Sequence, residues 1–123
     1  MSAAVDVTVM AAPHDADTER EVLCAAIVSP DKCAHLAEVL EPADFYPARH
    51  RAIWEAVQKC YANHGTVDEA LIVAYLRASN TFELVGFKGL SEVLNRAGMT
   101  QHVDAYAQIV RQYRGRRELI AAA

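Results

Sequence analysis

The sequence lacks long apolar runs, and its first residues lack basic side chains. No stretch of about 18 uninterrupted apolar residues occurs, which is the minimum for a helix that crosses a bilayer. The first twelve residues contain Asp6 but no Lys or Arg, whereas a secretory signal begins with basic residues. We therefore expect neither a membrane segment nor a secretory signal, and we expect the chain to work in the cytoplasm.

Cysteine is scarce and is not arranged as in a metal site. Cys24, Cys33 and Cys60 are odd in number, which suits buried roles in a reducing cytoplasm. Cys60 and His64 are four apart and could share a helix face, but zinc needs three or four converging ligands. No second pair is present, so the sequence predicts no metal site.

Glycine is also scarce, and its positions exclude the common phosphate-binding loop. A P-loop needs closely spaced glycines before Lys-Ser or Lys-Thr, and none of the five glycines here precedes such a pair. Acidic pairs such as Glu19 and Glu21 are explained by a helix start, where the dipole favours negative charge. We predict no catalytic residue and no cofactor. A small enzyme with a Cys/His site remains a less favoured alternative, which a cleft around Cys60 would support.

Charge is unevenly distributed along the chain. The net charge of −4 argues against a domain that mainly grips nucleic acid. Residues 1–48 carry nine acidic side chains against two basic ones, whereas residues 111–123 carry four arginines against Glu118. A solvated acidic face and a basic helix end are the favoured interpretation. The alternative is steering between subunits or a nearby nucleic-acid path.

Helical periodicity and turn residues predict an all-α fold. No segment alternates convincingly between apolar and polar residues, which disfavours strands. The sequence also has no Asn-Gly or Asp-Gly pair, which disfavours tight hairpins. Thr18 is the predicted N-cap of the first helix, and Ser29 with Pro30 starts the second. A helix over 48–61 is followed by a stop at Gly65 and a cap at Thr66 or Asp68. We expect Phe82 to Val85 to fold back over the core, followed by helices over 87–96 and from about 100 onward.

The last predicted helix has a seam of apolar residues. Alternating steps of three and four connect its members, which are Val103, Tyr106, Val110, Tyr113, Arg117 and Ile120. Ala107 and Ile109 broaden the seam. The seam packs either on the chain's own bundle or on a second helix or partner subunit, and the second interpretation is favoured. The helix runs without a C-cap to Ala123, which is typical of a cut or frayed end. We predict about six helices in total, with a mobile tail over 1–16 and a globular helical bundle over 17–98. The last helix, over 99–123, projects from the bundle and begins a helical hairpin.

The segment around residues 44–54 combines aromatic and polar residues in an unusual order. We interpret Phe45 and Tyr46 as core anchors that set a turn between helices. Asp44 is placed to accept backbone N–H groups at a helix start. We expect His50 and Arg51 to form hydrogen bonds either across this turn or to a neighbouring subunit. Structural roles are favoured over direct contact with a partner, and Trp54 continues the apolar face of the next helix.

Five segments in order resemble the N-terminal domain of DnaB-type bacterial replicative DNA helicases. They are Glu19 to Leu23, Asp44-Phe45-Tyr46 with His50 to Trp54, Gly65 to Asp68, Leu84-Val85-Gly86, and Val103 to Arg111. The resemblance covers about residues 17–120. Trp54 replaces the usual Phe, and Cys24 and Phe87 stand where the family has glycine.

The resemblance implies a role in assembly. In the family this domain forms the collar of a hexameric ring as a trimer of dimers, and dimers form through a helical hairpin whose first helix would be residues 99–123. The collar binds primase and, in some members, a helicase loader. ATP and Mg²⁺ belong to a motor domain that is absent from this chain, so DNA is a partner only indirectly. The alternative is a stand-alone helical adaptor that binds nucleic acid through Arg111 to Arg117, for which salt-sensitive DNA binding would speak.

Overall fold

Six α-helices and two short 3-10 helices make up most of the chain in a computed structural model that describes residues 12–96 and 100–122. The α-helices are α1 (Ala16–Val28), α2 (Pro30–Val39), α3 (Ala48–His64), α4 (Glu69–Ala78), α5 (Phe82–Leu94) and α6 (Val103–Ala122). The 3-10 helices span Pro42–Asp44 and Thr100–His102. Over these ranges no strand occurs, so the predicted all-α bundle of about six helices is confirmed. None of the helices described is long and apolar enough to span a bilayer.

Short polar side chains determine where three of the helices begin. The Ser29 side chain accepts from the backbone N–H of Lys32, and Pro30 occupies the first turn of α2, as predicted. Asp68 caps α4, which decides between the two predicted caps. The predicted cap Thr18 is wrong because Asp15 caps α1 instead, with its carboxylate accepting the Thr18 N–H at 3.0 Å. The helix therefore starts three residues before the predicted position.

The end of α3 matches the predicted stop. Gly65 is left-handed at φ 71°, a conformation that costs glycine little, and its N–H donates to the Tyr61 carbonyl at 2.8 Å. The helix continues to His64, one turn beyond the predicted end.

A glycine divides α5 into two parts. Gly86 has φ 68° and ψ 167°, so the four residues before it form a helical turn and the helix restarts at Phe87. The predicted helix from Phe87 is present. The preceding Phe82 to Val85, which we expected to fold back over the core, form a helical turn before Gly86.

Helix α1 is the centre of the bundle. Its residues from Val22 to Ile27 are all buried, because α2, α3, α5 and α6 surround it. Trp54 of α3 fills the space beside the connection from α2, with its ring centroid 5.2 Å from that of Phe45. Helix α4 packs on α3 and α5 through Ile72 and Leu76. The fold thus packs four helices around α1, and α4 lies outside them against α3 and α5.

The predicted tail lies largely outside the described residues, which exclude 1–11 and 97–99. Residues 12–15 are described, and they lie against Tyr46 and Arg117. The predicted boundaries at 16 and 98 stay predictions.

Gly86 and Gly89 offer a matched test of the kink in α5. In Gly86→Ala, we expect a loss of about 1–3 kcal/mol in the free energy of unfolding, because only glycine readily adopts this φ and ψ. In Gly89→Ala, the new Cβ meets Val85 Cγ1 at an ordinary 3.5 Å, and a gain of about 0.5–1 kcal/mol is expected from the helix interior. Urea denaturation measures both. Equal effects would contradict the backbone assignment.

Candidate interaction surface

A buried hydrogen bond between a histidine and a glutamate side chain joins α1 to α3. His50 Nδ1 lies 2.7 Å from Glu19 Oε1, and both side chains are only 2% exposed. The other carboxylate oxygen accepts the backbone N–H of Tyr46 at 3.1 Å. Glu19 therefore fixes the position of residues 41–47, which we call the connector. Sequence reasoning gave His50 a partner across the connector but explained Glu19 by the helix dipole alone, so it missed the pairing.

The connector is also held from its other side. Arg51 Nη1 donates to the carbonyl oxygens of Phe45, at 3.1 Å, and Tyr46. Because the Phe45 side chain is fully buried against Trp54, both the backbone and the ring of this residue have partners within the chain. The structure places these residues in intramolecular roles.

Asp44 joins the connector to α6. One carboxylate oxygen accepts the Glu41 N–H at 2.7 Å, which is the capping role predicted for a helix start. The other lies 3.3 Å from Arg114 Nη1, which also lies 3.1 Å from the Glu41 carboxylate. The hydrogen bond to Glu41, aided by Asp44 and Glu118, raises the pKa of the Arg114 guanidinium above its ordinary value. The positive charge of one arginine at the basic helix end is thus paired with carboxylates of the same chain.

Arg117 makes a second link to the connector. Its Nη2 donates to the Asp44 carbonyl at 3.0 Å, its Nη1 donates to the Pro13 carbonyl at 2.9 Å, and the guanidinium lies 5.3 Å from the centroid of the Tyr46 ring. The His14 ring stacks on the same tyrosine with centroids 4.5 Å apart. Arg117 therefore contacts the connector and residues 12–15 at once.

The predicted seam divides into a buried part and an exposed part. Val103 and Val110 are each 1% exposed and belong to the chain's own core, so their placement on a partner surface is corrected. The physical reason is that α1 covers the first turns of α6, where Ala107 lies between them. Tyr106, Ile109 and Tyr113 are partly buried, and Ile120 is 60% exposed.

Leu119 is the most exposed large apolar side chain of the described part of the chain, at 75%. Sequence reasoning missed it because Leu119 falls outside the three-and-four spacing of the seam. Together, Leu119 and Ile120 form what we call the apolar end of α6. This end lies just beyond the Arg114 and Arg117 contacts, so the helix that carries it is fixed to the body.

The cysteines have no exposed reactive group. All three are buried, and burial raises the pKa of the Cys60 thiol to about 11. A thiol of this kind stays protonated near neutral pH and is a poor nucleophile. His64 lies 3.2 Å from the Tyr75 hydroxyl, and in the described ranges no three His, Cys, Asp or Glu side chains converge as metal ligands. Cys60 itself is fully buried in the core.

Removing the buried carboxylate tests the dependence of the connector on it. In Glu19→Ala, two donors lose their acceptor, His50 and the Tyr46 N–H, and we expect a loss of about 3 kcal/mol or more in the free energy of unfolding. The control is Asp104→Ala, which removes an exposed carboxylate 2.6 Å from His35 and should leave stability nearly unchanged. Urea denaturation of both variants gives the comparison. A loss no larger than that of the control would contradict the assignment.

Comparisons with known proteins agree with this architecture. The family model described as DnaB-like helicase N terminal domain matches residues 11–112. The chain is 32% identical over 112 residues to the replicative DNA helicase DnaB of Geobacillus stearothermophilus, covering 90% of this chain and 25% of that protein. The corresponding Haemophilus influenzae protein is 31% identical over 110 residues, covering 89% of this chain and 24% of that protein.

A solved structure extends the likeness to three dimensions. The crystal structure of the N-terminal domain of DnaB helicase from Mycobacterium tuberculosis superposes with a TM-score of 0.83 and 26% identity, covering 91% of this chain and 81% of that one. The chain spans about a quarter of the length of the two curated relatives described above. The resemblance noted from the sequence is confirmed, and the chain belongs to the family of DnaB-like helicase N-terminal domains.

Proposed function

We propose that this chain is the collar domain of a hexameric replicative DNA helicase, where it joins subunits and docks primase or a helicase loader. The family membership and the names of the relatives support this assignment. The observation that carries it is the apolar end of α6, where Leu119 and Ile120 are exposed on a helix fixed to the body by Arg114 and Arg117.

The apolar surface of α6 follows the spacing of a helix–helix contact. Tyr106, Tyr113 and Ile120 are seven residues apart, so they share one face, and none of them is fully buried. Burying a Leu or Ile side chain contributes about 1.5–3 kcal/mol, so two such residues left in water favour association. The partner we propose for this face is the second helix of the hairpin and, through it, a second subunit.

The motor belongs to a different part of the protein. Because the chain spans about a quarter of its relatives, we assign ATP and Mg²⁺ to a domain outside it and give the chain itself no catalytic role. A coding sequence that ends, or enters an unrelated domain, shortly after Ala123 would contradict this assignment.

A nucleic-acid adaptor is less well supported. Of the four arginines between 111 and 117, Arg114 and Arg117 are engaged by Asp44, Glu41 and the Pro13 carbonyl. Phosphate binding at these two positions would have to displace intramolecular partners. The basic end of the helix is therefore weaker as a phosphate site than its arginine count indicates.

Self-association is tested at the apolar end of α6. In the full-length protein, Leu119→Ser with Ile120→Ser is expected to weaken the dimer at least about tenfold, because two apolar side chains lose their burial. Sedimentation velocity over a range of concentrations measures the change. The matched control is Val28→Ser with Leu84→Ser, which removes two apolar side chains of similar exposure elsewhere. Equal weakening in both variants, or none in the first, would sink the assignment of this surface.

Docking of a replication partner needs a separate measurement. Calorimetric titration of the full-length protein with the purified helicase-binding domain of primase is expected to give saturable binding that is retained in the Val28 and Leu84 control variant. A lack of heat, together with no change in sedimentation of the mixture, would contradict primase docking. It would leave the loader as the remaining partner to be titrated in the same way.

A further inference from the structure

The second half of α6 is held to the body mainly by polar contacts. Val110 is the last fully buried apolar residue in the described part of α6, which ends at Ala122. Beyond it, Arg114 reaches the carboxylates of Glu41 and Asp44, and Arg117 reaches the Asp44 carbonyl. Contacts of this kind, between partly exposed groups, are individually weak compared with a packed core. The position of this half-helix therefore depends on a few arginine contacts.

Residues 12–15, which we call the strap, reach the body at the same place. The Ala12 N–H donates to the Tyr46 hydroxyl at 3.4 Å, His14 stacks on the Tyr46 ring, and the Pro13 carbonyl accepts from Arg117. Asp15 ties the other end of the strap to α1 as its N-cap. The strap thus crosses from the start of α1 to the guanidinium of α6.

One guanidinium serves both the strap and the connector. Arg117 Nη1 donates to Pro13 and Nη2 to Asp44, and the planar fork of arginine fixes the two directions relative to each other. If the strap leaves, Arg117 loses one of these two acceptors. If the half-helix moves, the strap loses its donor and the cation above Tyr46.

The helix is soft at the point between these contacts. Gly115 lies between Arg114 and Arg117, and a Cβ added there would meet nothing within 4 Å. A helical glycine is less favourable than alanine by about 1 kcal/mol, so the arginine contacts lie on either side of the weakest position of the helix. Loss of the contacts therefore loosens the helix at a defined place.

We propose that the strap and the second half of α6 form one coupled element: release of the strap loosens α6 from Gly115 onward, and loosening of α6 releases the strap. The coupling is reciprocal, since both changes break the same Arg117 and Tyr46 contacts. This inference concerns a single chain and does not rest on the proposed function. A partner that captures the strap changes the presentation of Leu119 and Ile120 without touching them.

Backbone order in the full 123-residue chain tests the coupling. Backbone ¹⁵N relaxation by NMR gives order parameters for Ala12, His14 and Asp15 on one side and for residues 115–118 on the other. Arg117→Gln removes the contacts that α6 makes with the strap and the connector. His14→Gly removes the stacking of the strap on Tyr46. In each variant, order parameters in both segments are expected to fall from about 0.85 to below about 0.6.

Arg116→Gln is the matched control, because Arg116 is a neighbouring arginine that stacks on Tyr113 and makes no contact with the strap. It should leave both segments ordered. Unchanged order parameters in α1 and α3 exclude a general loss of the fold. Loosening confined to the mutated segment, loosening transmitted in one direction only, or no loosening in either variant overturns the proposal.

Discussion

The arrangement of the helices depends on the hydrogen bonds made by one buried carboxylate, that of Glu19. Glu19 lies in a helix surrounded by other helices, where an unpaired charge is very unfavourable. Its two oxygens take the His50 ring and the Tyr46 N–H, and these two partners fix α3 and the connector relative to α1. The contacts of α6 with the connector follow, since the Asp44 that Arg114 and Arg117 bind is held in place by the same turn. A single polar group in the core thereby orients the exposed end of the last helix.

Local features of the fold could be predicted from the sequence, because their causes lie within a few residues. Ser29 caps a helix whose first turn contains proline, and Gly65 ends a helix by adopting a conformation that other residues avoid. The N-cap of α1 was misplaced because Asp15 and Thr18 are both good caps, three residues apart. In the structure the Asp15 carboxylate accepts the Thr18 N–H, so Thr18 lies inside the helix.

The candidate surface was less predictable, because periodicity identifies a helix face but not how much of its length is covered. Val110 and Ile120 continue the same pattern, yet α1 covers the first and leaves the second exposed. The number of arginines in a segment is likewise a poor guide to how many of them are free to bind a partner. It indicated a basic helix end, but two of the four arginines are engaged by carboxylates and carbonyls from distant parts of the chain. Long-range partners of this kind leave no local trace in the sequence.

The central position of α1 has a consequence for the order of events during synthesis. Its apolar residues need α6 as a neighbour, and Val103 is made about 80 residues after Val22. At ribosomal rates of about 5–20 residues per second, α1 waits roughly 4–16 s for its final cover. During that interval its surface is shielded by α2, α3 and α5 alone. A nascent chain with this topology closes its core late, so the ribosome and its chaperones meet the domain with its centre still open on one side.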